Sequence, residues 1–455
     1  MTNLRKALLC GVAIAVMGSG AHADELSDLK AQLESLQARV DSMNASTAAL
    51  PEGTSLVTFR RGSAEFDFKG QNKNGGSVRD AFNQTPDQGF TIGITPTADM
   101  PAPVAEITVS GYVSSWLRYD FDGHTQGEAG EFVPTGWTCA SVAFQDDSCD
   151  DHLSINSRGS VSVRSKVDTA IGQIRTFIEL RADAPATAEM RYAWGEWDMT
   201  PNWTFGAGSY FEVASLISAP NTINSSSPVG PTGTTRRDQI RLTYTDGPLS
   251  WAVALEEPTY SSSTTMPDIT TSIIYDVAGG HQFQIIAGVA DWDEATPAAN
   301  DELGWLIGGG MILNLADVAT LTAGAAYGEG LIVATQLNGF ESVGIAGTPF
   351  SGSTVDAGGD PLEAWGMHAS LTFAVNETTS VGVFGGYEEI LEAAAPTGVA
   401  ATDYKDSWVV GGNIIWKPVK QMQMGWEINY GEAESYDGTT KTEALQGVWG
   451  TTFYF

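Results

Sequence analysis

Basic residues are scarce in this chain. Lysine and arginine together number 23 against 55 aspartates and glutamates, a formal net charge of −32 at pH 7. That balance speaks against nucleic acid as a partner, because phosphate contacts need lysine and arginine in excess. Cysteine is nearly absent. The three are Cys10, Cys139 and Cys149, and none sits in the paired Cys or His clusters of a zinc site. Long apolar runs are missing too. "ALLCGVAIAVMG" near the start is too short to span a bilayer as a helix, and no other stretch approaches the roughly 20 residues required. Neither G-x-S-x-G nor H-E-x-x-H occurs, so His124, His152, His281 and His368 have no hydrolase or metalloprotease frame around them. The expectation is a non-enzyme with no cofactor and no metal site.

What is present begins with an export signal. Arg5 and Lys6 precede the short apolar run, and "AHA" follows, ending at Ala23. This reads as a signal peptide over 1–23, with Asp24 the expected start of the mature chain. In the oxidising compartment beyond, Cys139 and Cys149 of "CASVAFQDDSC" are expected to form a disulfide closing a small loop. Leu26, Leu29, Leu33, Leu36, Val40 and Met43 then follow a 3,4 spacing, an a/d seam over 24–47. The helix is too short to be stable alone. It forms either a periplasmic coiled coil that helps a homo-oligomer assemble, or an amphipathic helix docked on the rest of the chain. Residues 48–104, with a short alternating piece among glycine- and proline-rich stretches, read as a linker, an accessory module or a segment tucked into a lumen.

From Ala105 the pattern changes to a strict period of two. Ile107, Val109, Val113 and Leu117 share one face, while Thr108, Ser110, Tyr112, Ser114, Trp116 and Arg118 share the other. Leu153, Ile155, Val161 and Val163 likewise oppose Arg158, Ser160, Ser162 and Arg164. An apolar face backed by a polar one is a strand between two environments. About sixteen such strands follow one another from 105 to the end. Short turns such as "TDGP", "VAGGH" and "NLADV" alternate with long polar loops such as 122–152, 211–235 and 329–361. Short turns on one rim and long loops on the other, over an even number of strands, are the arrangement of an outer-membrane barrel. The expected fold is therefore an all-β transmembrane antiparallel barrel over 105–455, preceded by the short coiled-coil helix. The chain stops at Phe455 in mid-strand, which suits a last strand paired with the first. Trp449, Phe453 and Phe455 would face outward, in an aromatic girdle.

Three stretches resemble the sixteen-stranded general porins of alphaproteobacteria. "ITVSGYVSSWLRYD" is similar to that family's first strand, "GQIRTFIELR" to its third, and "MRYAWGEWDMTPNWTFGAGSYFEV" to the region before its inward-folded third loop. The resemblance implies a homotrimer of water-filled pores in the bacterial outer membrane. These pass ions and small hydrophilic solutes and are narrowed by the loop at about 211–235. It also implies that Phe455 is part of the signal read by the outer-membrane assembly machinery.

Selectivity in such a pore comes from radius and from charge facing the lumen. Arg158, Arg181, Arg191, Arg237 and Arg241 are the candidates for one wall of a constriction, since a charge facing lipid would cost roughly 2–4 kcal/mol at the midplane. Arg191 is read on the same face as Ala193 and Gly195. Glu212 is the one acid of the third loop, and Glu179, Glu256 and Asp276 are the alternative acids, set against the arginines from the strands. Loop acids such as "QDDSCDD" and "DWDEATPAANDE" suggest a solvated acidic rim beside lipopolysaccharide, without the ordered ligand spacing of an EF-hand. The alternative to general diffusion is a channel selective for sugars or small organic acids, with Tyr112, Trp116 and Phe177 as interior aromatics.

Overall fold

The computed structural model describes residues 55–62, 68, 89–96, 104–122, 152–184, 188–216, 218, 220–223, 231, 236–258, 266–291, 303–316, 318–330, 360, 362–391, 404–436, 438 and 441–455. The signal peptide, the heptad segment and the pair Cys139 and Cys149 lie outside these residues.

Two short strands, β1 (Ser55–Arg61) and β2 (Phe90–Pro96), precede a series of longer ones. The series runs β3 (Ala105–Asp122), β4 (His152–Thr169), β5 (Gly172–Ala184), β6 (Glu189–Asp198), β7 (Trp203–Phe211) and β8 (Arg236–Asp246). It continues with β9 (Leu249–Glu256), β10 (Asp268–Val277), β11 (His281–Asp291), β12 (Leu303–Leu315) and β13 (Ala319–Glu329). It ends with β14 (Glu363–Asn376), β15 (Thr379–Ile390), β16 (Tyr404–Val419), β17 (Met422–Ser435) and β18 (Lys441–Tyr454). Each strand from β3 to β18 pairs antiparallel with its neighbours in sequence, and β18 pairs with β3, so these sixteen strands close on themselves. The expected sixteen-stranded antiparallel barrel is the observed fold.

The chain divides into two compact units. The smaller holds residues 1–58 and 93–104; within it the Val104 N–H donates to the Ile94 carbonyl at 2.9 Å. The larger holds residues 59–92 and 105–455 and contains the barrel.

The period-two pattern sorts side chains between lipid and lumen. Val113, Ile155, Val161, Ile178, Ile285, Ile307, Val383 and Ile428 are exposed on the outer face. Their neighbours Ser114, Ser160, Ser162, Glu179, Gln284 and Asn429 are buried on the inner one. Apolar side chains outside and polar ones inside let one strand serve both solvents, with every interior backbone group bonded in the closed ladder.

Closure depends on a close approach at the chain end. Phe455 and Gly111 exchange both backbone hydrogen bonds, at 3.0 and 3.1 Å. A Cβ at Gly111 would lie 2.5 Å from Phe455 Cζ and collide with the Ser160 carbonyl, so glycine alone fits there. Phe453 and Phe455 are half exposed on the outer face, where the alternation placed them.

The short turns are built as their residues predict. Gly172, Gly247, Gly279 and Gly280 all have positive φ. Ala316, after β12, adopts φ of 50° in a position that favours glycine. An L-residue there carries about 1–2 kcal/mol of steric cost. Ala316→Gly should therefore stabilise the barrel by about 1 kcal/mol. Urea unfolding in detergent micelles would read this as a higher midpoint at unchanged slope.

Candidate functional site

The lumen wall formed by β3 to β8 carries guanidinium groups laid on aromatic rings. Arg158 lies over Trp116 at 5.5 Å and Arg164 over Phe177 at 5.3 Å. Arg191 and Arg236 both cover Tyr192, at 5.4 and 4.9 Å. Arg241 sits 5.0 Å from the ring centres of Trp194 and Tyr210. Strand periodicity creates this layer, because β5, β6 and β7 turn Phe177, Tyr192, Trp194 and Tyr210 inward, where they form one buried cluster. Stacking of this kind contributes roughly 0.5–2 kcal/mol per pair and fixes the orientation of each guanidinium.

Carboxylates and amides hold the same groups from the side. Arg237 pairs with Asp268 at 2.7 Å and with Glu212 at 3.5 Å. Arg191 Nη1 lies 3.4 Å from Glu179 Oε1, which also accepts the Ser160 hydroxyl at 2.8 Å. Arg241 donates to Gln239 Oε1 and to the Phe211 carbonyl, at 2.6–2.9 Å. Arg181 pairs with Glu189 at 2.7 Å. Asp276 accepts Gln282 on the neighbouring strand at 2.6 Å. Glu256 instead accepts the backbone N–H of Val213 at 2.7 Å.

Arg191 corrects one step of the sequence reading. Ala193 pairs with Ile178, an outward residue, so the face containing Ala193 and Gly195 looks to the outside. Strict alternation would send Arg191 outward with them. A register shift between Glu179 and Leu180 breaks the alternation, and the side chain reaches Glu179 and Tyr192 instead. Such an irregularity re-aims a side chain, as bulges do, and no periodicity reveals it.

The segment after β7 is tied to the lumen side of the strands from β9 onward. Gln284 of β11 donates to the Ser215 carbonyl at 2.9 Å. His368 of β14 meets Ser218 through its carbonyl at 2.9 Å and its hydroxyl at 3.1 Å. Asn413 of β16 donates to the Asn221 carbonyl at 2.7 Å, and Glu427 of β17 accepts the Ile223 N–H at 2.7 Å. Ala214 and Leu216 pack with Ile286, Ala290 and Leu306. Ile223 packs with Trp116, Ile415 and Val448. Glycines make room for this course: a Cβ at Gly310 would stand 2.6 Å from Ser218 Oγ, and one at Gly425 2.7 Å from Ile223 Cδ1.

Sequence reading passed over several residues of this site. Arg164 and Arg236 belong to the stacked layer, and Tyr192, Trp194 and Tyr210 underlie it. Arg164 shares the inward parity of Arg158, but Arg236 stands at the parity of Ile240, which faces outward, and a reading that puts Ala193 and Gly195 inside sends Tyr192 and Trp194 outside; which ring each arginine covers is not encoded locally. Phe68, far upstream of the barrel strands, joins the same aromatic cluster. Among the described residues no group of three or more His, Cys, Asp or Glu is placed to hold a metal ion.

A closed sixteen-stranded barrel with an apolar outside and a charged inside defines a transmembrane channel protein. A sequence profile described as "Porin subfamily" matches residues 107–449, and the chain belongs to that family. It is a porin, a channel of the bacterial outer membrane rather than an enzyme. Comparison with curated proteins returns no match. Among solved structures, the outer membrane channel DcaP of Acinetobacter baumannii is similar at 18% identity, with 77% of this chain and 97% of that one covered and a TM-score of 0.60. The anion-selective porin from Comamonas acidovorans matches at 10% identity over 77% of this chain and 100% of that one, with a TM-score of 0.53. A trimer form of OmpT from Vibrio cholerae matches at 10% identity over 77% and 100%, with a TM-score of 0.50.

Proposed function

We propose that the protein is a general diffusion porin of the alphaproteobacterial type, whose channel is narrowed between the arginine layer of β4 to β8 and the backbone of residues 212–223. The observation that carries this reading is the series of ties from Glu256, Gln284, His368, Asn413 and Glu427 to that backbone. They hold a loop inside the lumen, facing a wall of guanidinium groups. The ring faces of Trp116, Phe177, Tyr192 and Trp194 are covered by arginine. This disfavours a sugar-stacking track and leaves small organic acids as the class a selective version of the channel would take.

The protein is proposed to work as a homotrimer. Outward positions on β3 to β7 include Ser115, Ser157, Gly159, Ser165, Thr176, Ala193 and Gly195, and they hydrogen-bond among themselves, as in Ser165 with Thr176 at 2.7 Å. The outer face of β9 to β12 carries Trp251, Val253, Ile273, Phe283, Ile285 and Ile307. On β3 to β5 these small residues stand among Val113, Ile155, Val161 and Ile178, and small residues let the wall of a neighbouring copy approach closely. Phe455 would present the assembly signal, and lipopolysaccharide would surround the upper rim.

The double variant Glu427→Ala/His368→Ala tests the narrowing. It removes the acceptor of Ile223 N–H and both contacts to Ser218. In a liposome-swelling assay it should admit larger sugars than the parent protein does. An unchanged size limit in a correctly folded double variant would count against the loop as the narrow point.

A further inference from the structure

We infer that Phe68, although it lies outside the barrel strands, is a lumen-filling residue that narrows the channel at the arginine–aromatic layer and limits conduction. The inference rests on the channel function of the barrel and not on the loop narrowing proposed above.

Phe68 is 2% exposed, and its neighbours are lumen-facing side chains of three different strands: Phe177 of β5, Tyr192 and Trp194 of β6 and Tyr210 of β7. Its ring meets Phe177 edge-on, with centroids 6.1 Å apart and planes at 60°. Phe177 is in turn covered by Arg164. Strand alternation places these partners on the inside of the barrel, so a ring packed against them occupies lumen and not lipid.

The chain on either side of Phe68 is fastened to inner-face residues near the start of β3, the end of the barrel that carries the short turns. Arg60 pairs with Glu106 at 3.2 Å, and Lys166 holds the same carboxylate at 2.7 Å. The Gly62 N–H donates to the Gly89 carbonyl at 2.9 Å, and the Thr91 hydroxyl donates to the Gly62 carbonyl at 2.7 Å. Thr91 and Thr108 share a hydrogen bond of 2.8 Å. A Cβ at Gly89, where φ is +74°, would lie 2.7 Å from Ser110 Cβ, so only glycine can press this close to the inner face of β3. Outgoing and returning chain are thus pinned together at one mouth of the barrel, and Phe68 is seated within it. Glu106, Thr108, Thr91 and Gly89 all serve to hold this chain against the inner face of β3.

The resistance of a pore is set by its narrowest section and falls as the free cross-section there grows. Single-channel recording in planar bilayers therefore tests the inference directly. Phe68→Ala should raise conductance by roughly twofold, because a ring is removed from a narrow section. Phe68→Ala, folded as judged by heat-modifiable migration, should also admit larger sugars in liposome swelling than the parent protein does. A parent protein that conducts, with Phe68→Ala at the same conductance and the same sugar size limit, would overturn the inference while leaving the channel function intact. A parent protein that does not conduct at all would overturn both.

Discussion

The triple variant Arg158→Gln/Arg191→Gln/Arg241→Gln should conduct with its cation-to-anion permeability ratio raised by roughly three- to tenfold. A unit charge about 4 Å from a passing ion is worth about 1 kcal/mol even at the dielectric of water, and 1.4 kcal/mol is a factor of ten. Salt screens this over about 10 Å at 0.1 M, so only charges in a narrow section act at full strength. The proposed narrowing puts the three arginines there, held by ring faces and by polar contacts. Arg158 lies on Trp116, Arg191 beside Glu179 and Arg241 on Trp194 and Tyr210. Arg237 is left in place, because its pairs with Asp268 and Glu212 would strand two buried carboxylates. The reversal potential under a potassium chloride gradient measures the ratio. An unchanged potential would mean that these arginines are local packing and that the ion path runs elsewhere.

Arg175→Ala should destabilise the barrel by about 3–5 kcal/mol, the cost of breaking a buried pair and leaving its partner charged. Arg175 is 1% exposed. It reaches Glu196 at 3.0 Å and Asp198 through both oxygens at 2.6 Å. Glu196 is itself buried and accepts Trp194 Nε1–H at 3.1 Å. Asp198 also receives the Thr204 hydroxyl at 2.7 Å. The group therefore ties β5, β6 and β7 together below the aromatic layer. Guanidinium unfolding in micelles, followed by tryptophan emission, would read the loss as a lower midpoint. Adding Glu196→Gln to Arg175→Ala should recover part of it, because the more buried of the two stranded carboxylates is then neutral. If the single variant unfolds like the parent, the network is solvated and contributes little.

The barrel was legible because each strand lies between lipid and water and writes that position into every second residue. "EITVSGYVSSWLRYDF" and "LSINSRGSVSVRSKV" separate their apolar and polar faces cleanly, and β3 and β4 follow within a few residues. Turns were legible where glycine supplies the needed φ, as at "TDGP" and "VAGGH". The interior was less so. The contact between the Ile223 N–H and Glu427 joins residues about two hundred positions apart, and no local pattern encodes it. Gly310, Gly324 and Gly425 read as ordinary strand glycines, yet each faces the loop at close range. Arg191 depends on a register shift that breaks the very alternation used to place it. Phe68 sits in a stretch without periodicity, because its burial comes from the lumen and not from a strand of its own. The sequence reading allowed a segment tucked in a lumen among its alternatives, but nothing local chose it.

A water-filled pore through the barrel, lined by arginine on one side, is tested most directly by single-channel conductance of the purified protein in a planar bilayer, with the reversal potential measured under a salt gradient. Large ohmic steps arriving in groups of three are expected, with a reversal potential that moves toward cation preference in the triple arginine variant. A heat-modifiable, folded barrel that passes no current would contradict such a pore.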